Sequence, residues 1–444
     1  MSRAKQIPFT GSDDVLQALS RLGRTEDVQF SPDGRRLAIA GMLENKILLL
    51  DIRMELAPED GRVLLTDYLE VTSSAFDQPH GLFWIDDRTM IVANRNGELP
   101  IFVLPPEKPA SRVAGVLPLS TIKSDPGQLV KTPGSVSVSR IGQGLHEVFV
   151  CNNYVHHVSR HVLDERSGFR LEGSSIFLRK GLDIPDGVAS SHDGRWIAVS
   201  NHNDHSVFVY ENVPGLDLSA LHSGRLAGIA YPHGVRFAAG GKYLLVADAG
   251  APFVHIFESS DGNWGGERQP TASVRLVDEE TFLSGRHNEQ EGGPKGIDMC
   301  HDSRVLVASC HEQPIAFMDM SEILKPAREA KDRNSASVYG ADEVQAVRAS
   351  LLRNLNCAAS SEADARRELD ATRVELETAR TGLEATRAEL ETTRVELEAT
   401  RTGLEAARAE LEATRAELEA RPAEPETRAE LGRELIKWGV ISSS

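Results

Sequence analysis

Cysteine and aromatic residues are scarce in this chain of 444 residues, and its 49 lysines and arginines are outnumbered by 66 acidic residues. Its 4 cysteines form no CxxC pair, which favours reduced thiols over a disulfide framework. The formal net charge of −17 argues against nucleic acid or an anionic membrane surface as the main partner. No apolar run is long enough for a membrane helix, and the N-terminus lacks the apolar core of a secretory signal. We therefore predict a cytoplasmic protein that neither inserts into a membrane nor binds nucleic acid.

What the sequence does have is a repeat of short apolar runs separated by turn residues. The pattern is clearest over 185–211, where a Pro-x-Gly opening is followed by an Asp-Gly turn and two β-rich runs. Related stretches begin at positions 25, 79, 133, 232 and 294. A strand-rich repeat of about 50 residues is typical of a β-propeller with one four-stranded sheet per blade. We predict an all-β propeller over 25–325 with six blades, or seven if one is hidden between the copies.

Segments on either side of the repeat have their own patterns. Residues 1–24 predict a lead-in with one short helix, which we expect to cover an edge or one mouth of the propeller. Either this segment or 335–343 should supply the outer strand that closes the last blade, since an open propeller would leave exposed sheet edges. Residues 326–361 change to a charged, polar composition that indicates a linker or neck.

A seven-residue repeat of leucine follows over 362–421. Leucine recurs at 369, 376, 383, 390, 397, 404, 411 and 418. This spacing predicts a long C-terminal α-helical coiled coil and therefore self-association through 362–421. The apolar stripe is narrow, because the residues three and four positions after each leucine are small or charged. A single solvated helix acting as a spacer is the alternative.

The chain ends in a tail over 422–444 that begins with two prolines, Pro422 and Pro425. Proline cannot continue the preceding helix, and the apolar pattern over 427–440 predicts a second, short amphipathic helix. Trp438 on that helix favours docking onto a protein partner, or folding back onto the rod or its copies.

One position in each blade opening should face the central channel of the propeller. The middle residues of the six openings are Glu26, His80, Gly134, Asp186, His233 and Lys295. Carboxylates and imidazoles that converge on one axis can hold a divalent cation, so we predict one metal ion bound by Glu26, His80, Asp186 and His233. The missing side chain at Gly134 should leave room for water or substrate.

A second ring of polar residues is predicted at the ends of the second strands. Asn94, Asn152, Asn201 and Asp248 occupy this position, and His202 follows in the next loop. We expect a small polar ligand in the channel to contact Asn94, Asn152, Asn201, His202 and Lys295. If the site is catalytic, Asp186 or Asp248 is the candidate general base.

The blade motifs Pro185-Asp186-Gly187-Val188 and Tyr243-Leu-Leu-Val-Ala-Asp248 resemble those of lactonase-type propellers. They are similar to the gluconolactonase and regucalcin family and to NHL-type repeats, which implies a six-bladed propeller. In the gluconolactonase family a Glu of the first blade and an Asn and an Asp of later blades hold the cation. Glu26 and Asp186 match that set in type, whereas His80 and His233 depart from it, and imidazole favours zinc or iron over calcium.

Two functional hypotheses follow from the sequence. The first is a propeller that binds a ligand or partner and is oligomerised or displayed by its C-terminal coiled coil. The alternative is a metal-dependent, lactonase-like hydrolase with its site at the mouth of the channel. The helical repeat favours the first, and the ring of Glu, His and Asp favours the second.

Overall fold

The computed structural model describes residues 5–57, 61–123, 129–286, 288, 290–324, 346, 393–394, 397–416, 420 and 425–437. The chain divides into two compact units, Met1–Ser350 and Leu351–Ser444. Among the described residues no helix has the length and apolar composition needed to cross a membrane.

The first unit is a β-propeller of six sheets, which confirms six blades rather than seven. Blade one contains β3 (Thr25–Phe30), β4 (Arg36–Gly41), β5 (Lys46–Glu55) and β6 (Arg62–Thr72), and its outer strand also pairs with β2 (Phe9–Gly11) and β10 (Val113–Gly115). Blade two contains β7 (Pro79–Trp84), β8 (Thr89–Asn94), β9 (Leu99–Val103) and β11 (Ser120–Ile122). Blade three contains β12 (Pro133–Gly142), β13 (Leu145–Asn152), β14 (His157–Asp164) and β15 (Arg170–Leu178).

The remaining blades follow the same order from the channel outward. Blade four contains β16 (Pro185–Ser190), β17 (Trp196–Asn201), β18 (Ser206–Glu211), β19 (Gly224–Leu226) and the added β23 (Gly266–Arg268). Blade five contains β20 (Pro232–Ala238), β21 (Tyr243–Asp248), β22 (Phe253–Glu258) and β24 (Ala272–Arg275). Blade six contains β25 (Ile297–Met299), β26 (Val305–Ala308) and β27 (Ala316–Asp319), and it is preceded by helix α2 (Glu279–Ser284).

The ring is closed by the N-terminal segment, one of the two alternatives predicted from the sequence. Strand β1 (Lys5–Ile7) pairs antiparallel with β27, with Ile7 opposite Phe317. The other alternative, 335–343, lies outside the described residues. Pairing with β1 covers the edge of blade six, which would otherwise expose a row of unpaired backbone groups.

The glycine of the Pro-x-Gly opening lets neighbouring inner strands approach one another closely. A Cβ on Gly81 would stand 2.7 Å from the carbonyl oxygen of Gly134, and a Cβ on Gly296 would stand 2.6 Å from the Cα of Asp27. Real Cβ atoms do not come this close to backbone, so these openings need a residue without a side chain. The glycine is thus a requirement of blade packing in four blades, at Gly81, Gly187, Gly234 and Gly296, whereas Asp27 and Ser135 occupy the position in blades one and three.

Side chains of the inner strands also bond the backbone of the next blade. Asp27 accepts from the amide of Leu82 at 3.1 Å, and Asp298 accepts from the amide of Phe30 at 2.9 Å. The apolar core lies between the blades; Trp196 of blade four and Phe257 of blade five, for example, belong to one buried cluster. These contacts fix how each blade sits against the next, and so fix the width of the channel.

The predicted helix of the lead-in is present as α1 (Asp13–Ser20). Its buried face, Val15, Ala18 and Leu19, joins the same core as residues of blade one, so the helix covers that blade's outer strands. Ser12 occupies the N-cap position, but its side chain makes no capping bond to the helix backbone.

The second unit is helical wherever it is described. Helix α3 spans 397–416 within the predicted heptad segment, and α4 spans Pro425–Lys437 within the predicted tail. Leu397, Leu404 and Leu411 are 71%, 72% and 60% exposed, so in a single chain the leucine stripe has no cover. Most of the heptad segment, the neck at 326–361 and Trp438 lie outside the described residues, apart from isolated positions.

Candidate metal centre at the channel mouth

The structure brings the predicted ring residues together at one end of the channel. Glu26, His80, Asp186, His233 and Lys295 are all buried and line one cavity. Each residue stands at the start of the inner strand of its blade, which is the end of the propeller where the second strands finish. The Pro-x-Gly repeat therefore places five charged or titratable side chains around one axis.

The separations between the candidate ligand atoms are those of a coordination shell. Nε2 of His80 lies 3.4 Å from Oε2 of Glu26, and Nε2 of His233 lies 3.7 Å from the same oxygen. The two atoms of the His233–Asp186 pair, Nε2 and Oδ2, are 3.1 Å apart. Ligands about 2.1 Å from a tetrahedral metal ion stand roughly 3.4 Å from one another. Glu26, His80 and His233 thus form a buried group that is able to hold a metal ion.

Hydrogen bonding orients the ring of His80 for such a role. Nδ1 lies 2.6 Å from the carbonyl oxygen of Gly134, so Nδ1 carries the proton and the lone pair of Nε2 accepts from Nη2 of Arg95. Metal-binding histidines commonly have this arrangement, with the second nitrogen donating to a carbonyl. Burial, together with the charge of Arg95, lowers the pKa of His80 to about 3, and burial also lowers the pKa of His233. Both imidazoles are therefore neutral at pH 7, as metal ligation requires.

Burial would by itself raise the pKa of the two ring carboxylates, but surrounding positive groups outweigh it. Lys295, whose Nζ lies 3.2 Å from both oxygens of Glu26, is the main cause that holds the pKa of Glu26 well below its usual range. His233 and then Arg95 do the same for the pKa of Asp186. Both carboxylates are ionised; Glu26 belongs to the group of three candidate ligands, whereas Asp186, also predicted as a ligand, lies outside that group and adjoins it through His233.

Four residues at the site were missed by the sequence analysis: Arg24 and Glu291, which pair around Glu26 and Lys295, and Arg95 and Asn153. Nη2 of Arg95 lies 2.5 Å from Nε2 of His80 and 4.0 Å from Oδ1 of Asp186. Nδ2 of Asn153 donates to Oδ1 of Asp186 at 2.7 Å. Arg95 and Asn153 each directly follow the last residue of a second strand, Asn94 or Asn152. Because side chains alternate along a strand, it is this next residue that points toward the ring.

Asn153 also fills the gap that Gly134 was expected to leave. A Cβ on Gly134 would fall within 2.9 Å of the Asn153 side-chain carbon, so the amide occupies the place of a blade-three ring side chain. The expectation of an open gap was wrong, since a loop residue enters it. The Oδ1 atom of Asn153 is buried and has no hydrogen-bond partner among the described residues. An orphaned acceptor beside Asp186 is consistent with a missing ion, water or ligand.

The second predicted ring occupies a different environment from the first. The side chains of Asn94, Asn152 and Asn201 hold the loop that leads into their own blade, by accepting from the amides of Asp77, Lys131 and Asp183 at 3.1, 2.7 and 2.5 Å. Asp248 is likewise buried, and it accepts from the amides of Ala230 and Tyr231 and from His255. These contacts give the second ring a structural role, and its part in ligand binding or catalysis stays a prediction.

His202 and Lys295 are the predicted ligand-binding residues that do reach the site. His202 Nδ1 lies 3.9 Å from Oδ2 of Asp186, and its ring packs on Tyr231 with centroids 5.0 Å apart. Lys295 is shared between Glu26 and Glu291, whose Oε2 is 2.8 Å from Nζ. The free space inside the ring is only about 10 Å³, which is room for one water molecule or ion. A larger ligand would have to sit on the outer side of the ring.

Comparison with known proteins adds no family to these observations. The sequence matches none of the family models and none of the curated proteins with which it was compared.

Proposed function

We propose that the channel mouth is a mononuclear metal site that hydrolyses an ester or lactone. The observation that carries this proposal is the spacing of Glu26 Oε2, His80 Nε2 and His233 Nε2, which fits the edges of a coordination shell. Asp186, in contact with His233, supplies a fourth donor, and the free space fits an ion. The resemblance to lactonase-type blades supports the same class of reaction.

The donor set favours a transition metal over calcium. Two imidazoles with two carboxylates suit zinc, iron or manganese, whereas calcium prefers six to eight oxygen ligands. When bound, such an ion would polarise a substrate carbonyl and lower the pKa of a bound water to about 7. The site would then generate hydroxide at neutral pH without a strong base in the protein.

Binding of an ion requires one rearrangement within the site. Nη2 of Arg95 now donates to the His80 nitrogen that would ligate the ion, so this guanidinium must move away. Lys295 can stay, because it contacts both oxygens of Glu26 and only one is needed for the metal. Arg95 and the ion are therefore alternative partners of His80.

The remaining groups have two roles: some would bind the ion, and others would orient the attacking water or accept its proton. The pKa of Asp186 is held so low by its positive neighbours that this carboxylate is a poor proton acceptor and a good ligand. His202, beside Asp186 and outside the ligand group, is the nearest imidazole that can take a proton from an attacking water. The unpartnered Oδ1 of Asn153 can accept from that water and orient it.

The test is the metal content of the purified protein by mass spectrometry, with neutral replacements that preserve the charge balance. We expect one transition metal ion per chain in the wild type and less than a tenth of it in His80→Gln and in His233→Gln. His146→Gln is the matched control, since His146 is also buried but lies on blade three beside Glu165. Metal-free wild-type protein after refolding with zinc, iron or manganese would falsify the proposal.

A second function is supported by the helical unit. The exposed leucines of α3 recur every seventh residue, and a second copy of the same helix is the surface that such a stripe fits. Self-association through 362–421 would display several propellers together, which favours a binding module that gains affinity by multivalency. This role is compatible with a catalytic propeller, and the two are tested separately.

A further inference from the structure

Three positively charged side chains lie next to the candidate ligand groups, and a fourth, Arg236, lines the same cavity. Arg24 contacts Glu26 and lies 3.3 Å from Oε2 of Glu291, and Lys295 bridges the same two carboxylates. Arg95 is different, because Nη2 has only a neutral imidazole at hydrogen-bond distance, with Asp186 4.0 Å away. Its Nη1 atom is buried and has no hydrogen-bond partner among the described residues. Nη2 of Arg236 also lacks a hydrogen-bond partner, but this guanidinium is paired with Asp27 and Asp298, so Arg95 is the cation beside the ligand atoms that has a spare donor.

The charged groups next to the candidate ligand atoms are already paired with one another. The carboxylates of Glu26, Asp186 and Glu291 stand against the cations of Arg24, Arg95 and Lys295. Arg236, which lines the same cavity, pairs with Asp27 and Asp298. A divalent ion would add two positive charges to this largely desolvated site, where unpaired charge is costly. An anionic group beside the ion would offset part of that charge.

We propose that the loaded site binds its substrate through a carboxylate group held by Arg95, an inference that rests on the metal site proposed above. A carboxylate would offset part of the charge that the ion adds to the site. The guanidinium released from His80 presents two parallel N–H groups, and this fork matches a carboxylate in geometry.

The position of Arg95 suits a group that lies outside the ring. Its side chain is 14% exposed, so it borders solvent at the mouth, whereas His80 and Glu26 lie deeper. Its guanidinium carbon is 5.7 Å from the ring centroid of Tyr154, an exposed side chain of the neighbouring blade. Stacking on Tyr154 can hold the guanidinium in place after it leaves His80. The carboxylate would then lie at the rim, with the reacting carbonyl directed toward the ion.

The experiment measures acetate binding to zinc-loaded protein by saturation-transfer NMR, with metal content determined on the same samples. We expect Arg95→Gln to weaken acetate binding at least tenfold with the metal content unchanged. Arg95→Lys, which keeps the charge and loses the fork, should give an intermediate affinity. Arg195→Gln is the control, since Arg195 pairs with Glu211 in a turn at the opposite end of blade four and should bind acetate as the wild type does.

The outcomes separate the two proposals. Metal-loaded protein whose acetate affinity is the same in wild type and Arg95→Gln overturns this inference and leaves the metal site standing. Tighter binding of inorganic phosphate than of acetate overturns the assignment of a carboxylate. Wild-type protein that takes up no metal and binds no acetate overturns both proposals. If metal-free protein binds acetate through Arg95, the anion site is supported and the requirement for a metal is overturned.

Discussion

The backbone amide of Gly234 donates to the carbonyl oxygen of Lys295 in the next blade, at 3.0 Å. A Cβ on Gly234 would stand 2.5 Å from that same oxygen. The carbonyl oxygen of Lys295 thus explains why the opening of blade five ends in glycine, while the Lys295 side chain contacts Glu26 of the candidate metal centre. Blade packing and the candidate site share the same short segments of chain.

Replacing this glycine should destabilise the propeller. We expect Gly234→Ala to lower the free energy of unfolding by about 1–3 kcal/mol, the range typical of overpacked sites. Gly173→Ala is the control, because nothing lies within 4 Å of a Cβ at Gly173. Chemical denaturation measures both variants. An unchanged midpoint for Gly234→Ala would show that the inner strands can move apart more easily than the structure implies.

Replacing Asn201 by alanine should lower the stability of the propeller and leave its metal binding unchanged. Its side chain bonds the amide of Asp183 and the carbonyl of Gly181, and both groups lose their partner in Asn201→Ala. A loss of about 1–3 kcal/mol is expected for such buried polar groups. Asn203→Ala, at an exposed position in the same loop, should change stability by less than about 0.5 kcal/mol. Normal stability with lost ligand binding would instead support the role in ligand contact predicted from the sequence.

The pair of Glu291 and Lys295 should make stability depend on pH. Burial raises the pKa of Glu291, but the charge of Lys295 outweighs it and lowers the pKa to about 2 in the folded protein. Since the folded pKa is depressed, the stabilisation is present above the unfolded value of about 4.5 and is lost as the pH falls toward 2. Glu291→Gln should therefore cost about 1–3 kcal/mol at pH 7 and much less at pH 3. A cost that is the same at both pH values would contradict the ion pair.

Self-association is tested on the helical repeat of the full chain. The triple variant Leu397→Ser, Leu404→Ser, Leu411→Ser removes the apolar stripe of α3 that is exposed in a single chain. We expect an oligomeric wild type and a shift toward monomer in the variant, measured by light scattering after size-exclusion chromatography. Arg401→Gln with Arg408→Gln, which only breaks exposed i,i+4 pairs with Glu405 and Glu412, is the control and should remain oligomeric. A monomeric wild type would favour the solvated spacer.

The repeat predicted the architecture because its glycines and prolines answer a local requirement that recurs in most blades. Glu26, His80, Asp186, His233 and Lys295 could be placed around one axis from their register alone, since each is the middle residue of an opening. The roles of the second-strand ends were harder to predict. Asn94 and Asn152 turn away to hold their own loops, and the residues after them, Arg95 and Asn153, reach the centre.

Sequence patterns did not indicate these two residues because no repeat marks them. The equivalent position is Arg95 in blade two, Asn153 in blade three and His202 in blade four. Their turns also differ, and Asn153 and His202 each begin a short 3-10 helix. Side chains alternate between the two faces of a strand. Extending that alternation by one residue beyond the strand end would have predicted that Arg95 and Asn153 face the channel. The choice between β1 and 335–343 as the closing strand depended on tertiary pairing, which a local pattern does not encode.

The pairing of β1 with β27 has a consequence for how the protein is made. Gln6 of β1 and Met318 of β27, which lie opposite each other, are separated by almost the whole propeller sequence. At a synthesis rate of about 5–20 residues per second, β1 waits roughly 15–60 s on the ribosome before β27 exists. During that interval the growing ring presents an open strand edge at each end. The unpaired strand edges of the nascent chain can therefore pair wrongly until the sixth blade has been synthesised. Chaperones that cover such edges would act during this interval.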